Sequence, residues 1–203
     1  MRSDRKKIRG ILFDFDGTLT CPGSIDFKAI KRAINCPVES PILEYLDTLS
    51  PARRAPLQRI LEDMEEEAAL GSIPNDGAEA CLLTLKEMGL PLGILTRNSL
   101  KSVYLSLERF KDICAEDFSV IITRDDSLPK PHPDGVQQAA RHMGISVSGL
   151  LVVGDFRFDI LCGKAAGAPS ALLASGMESV MLPEDPEPDY ILNSLEEILD
   201  LVQ

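Results

Sequence analysis

Short unbroken apolar runs recur along this chain, and between them lie stretches whose apolar residues fall three and four apart. The runs cover residues 8–14, 90–96, 118–123, 150–155 and 169–174. They lack polar alternation, which predicts strands of a parallel sheet buried on both faces. The intervening stretches 78–88, 99–110, 133–143 and 159–166 predict helices. Gly89, Gly144 and Gly167 stand just past three of them, where a left-handed cap ends a helix well. A last helix is expected over 194–202, with Ser194 as its N-cap and Glu196 and Glu197 in its first turn. Strands alternating with helices imply βαβ units and a three-layer, Rossmann-like α/β core.

One connection breaks this alternation. From Asp14 to Ala78 the chain runs far longer than a normal strand-to-helix loop. Residues 25–34, 41–49 and 52–70 read as helices, punctuated by Pro51, Gly71 and Pro74. The expected division is therefore a core of residues 1–20 and 75–203, with an all-helical insertion over 21–74. Within it, Glu62, Asp63, Glu65, Glu66 and Glu67 read as a solvated helix face with no assigned function.

Composition narrows the function. With 44% apolar and 26% charged residues, the 203-residue chain has the balance of a globular enzyme. A net charge of −11 argues against a nucleic-acid surface, which needs a basic stripe, and against anionic membranes. No apolar run reaches membrane-span length. The basic stretch 1–9 leads straight into a strand, so it reads as a solvated lead-in. The 5 cysteines are scattered, without a C-x-x-C pair, which points to a reducing, cytoplasmic setting.

The chemistry gathers at strand ends, where open parallel sheets bind ligands. The first run ends in DFDGTLT. Side chains alternate along a strand, so Asp14 and Asp16 share one side while Phe15 points to the other. Two carboxylates this close repel, so a cation sits between them or one holds a proton. Gly17 lets the backbone turn sharply and bring its amide to an anion. Further strand ends carry Thr96 and the pair Asp155 and Asp159, in GDFRFD, and Lys130 lies in PKPHPDG after the third strand.

These motifs, in this order, resemble those of the haloacid dehalogenase superfamily of aspartate-nucleophile phosphotransferases. The resemblance covers residue 8 to about residue 174. It implies a small helical cap at the insertion, Asp14 as nucleophile and Asp16 as general acid and base. It implies Mg²⁺ held by Asp14, the carbonyl of Asp16 and Asp155, with Asp159 as a further ligand or an acceptor for a bound water. Lys130, Thr96 and the amides of Gly17 and Arg97 would bind the phosphoryl oxygens, and Asn98 joins them as a substrate contact. The expected activity is hydrolysis of a small phosphorylated metabolite of the phosphoglycolate kind.

Other residues have plainer readings. Ser99 and Asn98 ordinarily cap the following helix, His132 reads as a loop residue, and His142 suits a helix end. Phe156 replaces a small polar residue of many relatives and makes one wall more apolar. In the insertion, Arg53, Arg54 and Arg59 are candidates for a second anionic group on the substrate, although helix arginines are usually solvated. The rivals are a phosphomutase, a phosphonate hydrolase using Lys28 or Lys31, a dehalogenase, against which Asp16 counts, and a non-catalytic binding protein keeping the fold.

Overall fold

The computed structural model describes residues 7–174 and 181–202, so residues 1–6 of the basic lead-in lie outside it. Six parallel strands form one sheet in the order β3-β2-β1-β4-β5-β6. They are β1 Gly10–Phe13, β2 Leu92–Leu95, β3 Val120–Ile122, β4 Leu150–Gly154, β5 Ser170–Leu173 and β6 Tyr190–Leu192. The inner strands β1, β2, β4 and β5 are buried along their whole length, as unbroken apolar runs require. The edge strands β3 and β6 are only partly buried. Strand order reverses between β1 and β4, and this opens a crevice at their carboxyl ends.

Helices α4 (Ala78–Glu87), α5 (Leu100–Leu107), α6 (Asp134–Met143) and α7 (Arg157–Ala166) cover the two faces. Ile11 and Phe13 pack with Leu82 and Leu85 of α4 and Val103 of α5 on one side. Leu12 packs with Val136 and Ala139 of α6 on the other. Alternate residues of one strand thus feed two cores. Full burial of such side chains stabilises by about 1.5–3 kcal/mol each.

The last segment departs from the expected helix over 194–202. Tyr190–Leu192 pairs with β5 as an added strand, and a 3₁₀ helix follows at Leu195–Asp200. Ser194 makes no side-chain cap. Glu197 instead accepts from the backbone and side-chain amides of Asn193. Leu195 and Ile198 are both buried, and a three-residue repeat puts them on one line toward the core. The helix expected to begin at Asp159 begins at Arg157, which makes Asp159 its third residue.

Between β1 and α4 lie α1 (Phe27–Ala33), α2 (Ile42–Asp47) and α3 (Pro51–Leu70). Asp26 caps α1 by accepting from Ala29 N at 2.9 Å. Ile30, Ile34, Cys36, Leu46 and Leu61 form a separate small core among these helices. The chain enters and leaves the segment side by side, joined by an isolated antiparallel bridge of Thr20 with Pro74. Cys21 N donates to Ile73 O at 2.8 Å, and Asn75 N to Leu19 O at 2.9 Å. The acidic run of α3 is not uniformly solvated, because Glu65 is 5% exposed. It lies four residues from Leu61 and four from Ala69, on the buried line of the helix, so its carboxylate enters the interior.

Candidate active site

Asp14 follows β1 and Asp155 follows β4, so adjacent strands deliver both to the crevice. Asp14 N donates to Val153 O at 2.8 Å, which continues the ladder one residue past β1. Asp14, Asp155 and Asp159 each offer an oxygen, and these oxygens lie within 4.8 Å of one another. Lys130 Nζ donates to Asp14 Oδ1 and to Asp159 Oδ1, both at 2.5 Å. The lysine comes from the loop between β3 and α6 and is 3% exposed.

Two glycines are required by this crowding. Gly17 has φ +89°, and a Cβ there would come 2.3 Å from Asp155 Oδ2. At Gly154 a Cβ would stand 2.1 Å from Asp159 Cγ. The turn after β1 is fastened twice. Thr18 Oγ1 donates to Asp155 Oδ1 at 3.2 Å, and Asn75 Nδ2 to Thr18 O at 2.9 Å. Neither partner was foreseen from sequence, since a threonine in a turn and an asparagine before a helix carry ordinary local readings.

The electrostatics follow from too many acids around one base. Burial and then the charge of Asp14 push Asp16 up to about 7, with Glu65 adding to the rise. Burial, and behind it Asp14, also raises Asp155, and burial raises Asp159 against the pull of Lys130. Burial alone would lower Lys130, but Asp14 and Asp159 more than offset it and hold the ammonium charged. An all-oxygen donor set with surplus negative charge fits a hard divalent cation. The carboxylate of Asp16 stands outside the three-oxygen group and accepts from Asn98 Nδ2 at 3.1 Å.

Thr96 N donates to Ile122 O at 3.0 Å, just past β2, and Thr96 Oγ1 accepts from Asn98 N at 3.0 Å. Ser99 caps α5, accepting from Ser102 N at 3.2 Å. The Arg97 side chain turns away toward the helical segment, with Nη1 2.9 Å and Nη2 2.6 Å from the Glu44 carboxylate. Its guanidinium also lies 5.0 Å from the Phe158 ring centroid. Phe156 is exposed and stacks edge-on with Phe158.

The arginines of the insertion are not gathered at the acids. Arg53 and Arg59 are exposed, and Arg54 pairs with Asp47 at 2.5 Å. His132 is exposed as expected. Instead the segment sends acids to bases of the sheet domain: Glu44 to Arg97, Glu65 to Arg124 and Glu66 to Lys101.

A parallel sheet reversing between β1 and β4 has carboxylates and a buried lysine beyond those strands, at the strand-order switch where open α/β sheets bind ligands. Residues 20–173 match the family described as haloacid dehalogenase-like hydrolase, and the chain belongs to that family. It is 32% identical over 219 residues to a haloacid dehalogenase-like hydrolase domain-containing protein of Arabidopsis thaliana, covering 98% of this chain and 85% of that protein. It is 31% identical over 232 residues to a phosphoglycolate phosphatase of Escherichia coli O157:H7, covering 95% of this chain and 91% of that one. A hydrolase from Pseudomonas syringae shares the fold, with a TM-score of 0.79 at 23% identity over 95% of this chain and 96% of that one.

Proposed function

We propose that the protein is a Mg²⁺-dependent phosphatase that hydrolyses a small phosphorylated metabolite through an aspartyl-phosphate on Asp14. The observation that carries this reading is the set Asp14, Asp155, Asp159 and Lys130, converging at the carboxyl ends of β1 and β4. The name of the Escherichia coli relative supports a phosphoglycolate-like substrate. Cysteines that are all free suit the reducing cytoplasm.

An Asp14 carboxylate oxygen attacks phosphorus, and the bond to the ester oxygen breaks. Asp16, held near neutral pH by burial, gives its proton to the departing alkoxide. A water then attacks the aspartyl-phosphate, Asp16 takes its proton, and phosphate leaves with Asp14 restored. Lys130 fixes one oxygen of Asp14 and places a positive charge beside the transferring group. Thr96 Oγ and the backbone amides of Gly17 and Arg97 would receive the other phosphoryl oxygens, with Asn98 beside them. Asp14, Asp155 and the carbonyl of Asp16 would hold Mg²⁺, with Asp159 as a further ligand or a water acceptor. The ion supplies charge neutralisation to the carboxylate cluster and to the phosphoryl oxygens. The helices over 21–74 act as a cap that excludes water when seated.

Phosphate release from small phosphomonoesters and from p-nitrophenyl phosphate tests the reading. Turnover should need Mg²⁺, stop on chelation and return with added Mg²⁺, while Ca²⁺ substitutes poorly because its coordination is looser. Undiminished turnover in excess chelator, or none with Mg²⁺ present, would overturn it.

A further inference from the structure

Glu65 of α3 and Arg124, two residues past β3, meet in the interior, with side chains 7% and 6% exposed. Arg124 Nη1 donates to both Glu65 carboxylate oxygens, at 2.7 and 2.8 Å. The same nitrogen lies 3.4 Å from Arg97 O, and Arg124 N donates to Asn98 O at 3.4 Å. Asn98 N in turn donates to Thr96 Oγ1, and Asn98 Nδ2 to Asp16 Oδ2. A continuous set of contacts thus runs from the helical segment through Arg124 to the loop of Thr96 and Asn98, and ends on Asp16. Stability alone does not account for such a pair, since apolar side chains of similar volume often replace a buried ion pair at no cost. Among the described residues every side-chain hydrogen bond of Arg124 is made by Nη1, while Nη2 is buried without a hydrogen-bond partner. The position therefore uses one cationic nitrogen rather than the fork of a guanidinium.

We propose that Arg124 is a positioning residue that ties seating of the helical segment to the placement of Asp16. It rests on the phosphatase reading with Asp16 as the acid. With the segment seated, Glu65 fixes the Arg124 head, and that head holds the carbonyl of Arg97 next to Asn98. The Asn98 carbonyl accepts from the Arg124 backbone amide, and Asn98 aims Asp16 at the leaving oxygen. When Glu65 withdraws, that support is lost, so proton donation is confined to the seated state.

The test compares kcat/KM on an alkyl phosphate and on p-nitrophenyl phosphate, whose leaving group barely needs a proton. This parameter covers steps up to formation of the aspartyl-phosphate, so the later water attack does not enter. Arg124→Met should lose about 10- to 100-fold on the alkyl ester and about threefold or less on the nitrophenyl ester. Arg124→Lys should recover most of the loss. The double variant R124M/E65M removes the charge pair without stranding either partner, so it should fold normally and still show the asymmetry. It decides the matter if Arg124→Met alone does not fold. Equal losses on both esters, no loss on either, or full recovery in the double variant would overturn the inference. A wild-type protein inactive on both esters would instead remove the phosphatase reading and this inference with it.

Discussion

The ends of the central strands and the helical segment above them are built on opposite terms. β1 and β4 are wholly buried, and the carboxylates at their ends are fixed by a backbone ladder, by Lys130 and by two glycines that nothing larger can replace. The helical segment has a small core of its own and meets the sheet domain partly through three ion pairs, each acidic on its side. Apolar packing is unspecific in partner and strong, whereas a charged seam is specific in partner and weak where water reaches it. Lys101 is largely exposed and its pair with Glu66 counts for little, while Glu65 and Arg124 are buried, so removing one of them strands the other. The fixed half holds its groups by burial and backbone, and the seam selects its partners by charge.

The largest expected effect falls on the fixed half. Asp14→Asn should lower phosphate release on the order of 10³-fold or more, since an amide is a very poor nucleophile. Circular dichroism should show the fold intact, and near-normal turnover would break the nucleophile assignment.

Next comes Asp16→Asn, which keeps the backbone carbonyl and removes the proton. Turnover of alkyl phosphates should fall by about 10²–10⁴-fold. With p-nitrophenyl phosphate the first step should survive, so phosphoenzyme accumulates on Asp14 and appears as a burst in stopped-flow kinetics. In ¹⁸O-labelled water the wild-type protein should release labelled phosphate, whereas a mutase would isomerise a sugar phosphate and release little.

A pair of cavity variants sharpens the comparison of the two cores. Ile11→Ala and Leu61→Ala each remove a buried side chain, at a cost of about 2–5 kcal/mol to the unit that holds it. Ile11→Ala should lower the melting temperature of the whole protein. Leu61→Ala should chiefly speed hydrogen exchange over residues 27–70 and leave the sheet protected. Uniform exchange changes in both would show that the two cores unfold as one.

The smallest effect is the pH dependence of the seam. Burial, only partly offset by the Arg124 hydrogen bonds and charge, raises Glu65 to about 7 from the ordinary 4.5. The folded state therefore holds this proton more tightly than the unfolded chain. The stability this contributes is complete below about 4.5 and is lost as the pH rises through about 7. Relative to Glu65→Gln, the wild-type protein should lose at most about 3 kcal/mol across that window in denaturant titrations. Wild-type stability that stays level or rises with pH relative to Glu65→Gln across this window would contradict the assignment.

Much of the fixed half is legible from residues taken in order. Apolar runs locate β1, β2, β4 and β5, and Asp14, Thr96 and Asp155 follow them directly. These features are local, since a run of apolar side chains and the residue ending it need only backbone periodicity to be placed. Tyr190–Leu192 was harder, because a short edge strand exists only through the neighbour it pairs with. The acidic run of α3 misled for a related reason. Helical spacing puts Glu65 in line with Leu61 and Ala69, but a carboxylate is buried there only because Arg124, distant in the chain, arrives to meet it. Asn98 reads locally as a helix-start residue, and its bond to Asp16 appears only once β1 and β2 lie side by side. The order of residues thus determined which strands carry acids and where the chain leaves the sheet for its helical segment. Tertiary structure alone decided which charges meet across the seam, because pairing depends on proximity in space, which no local periodicity encodes.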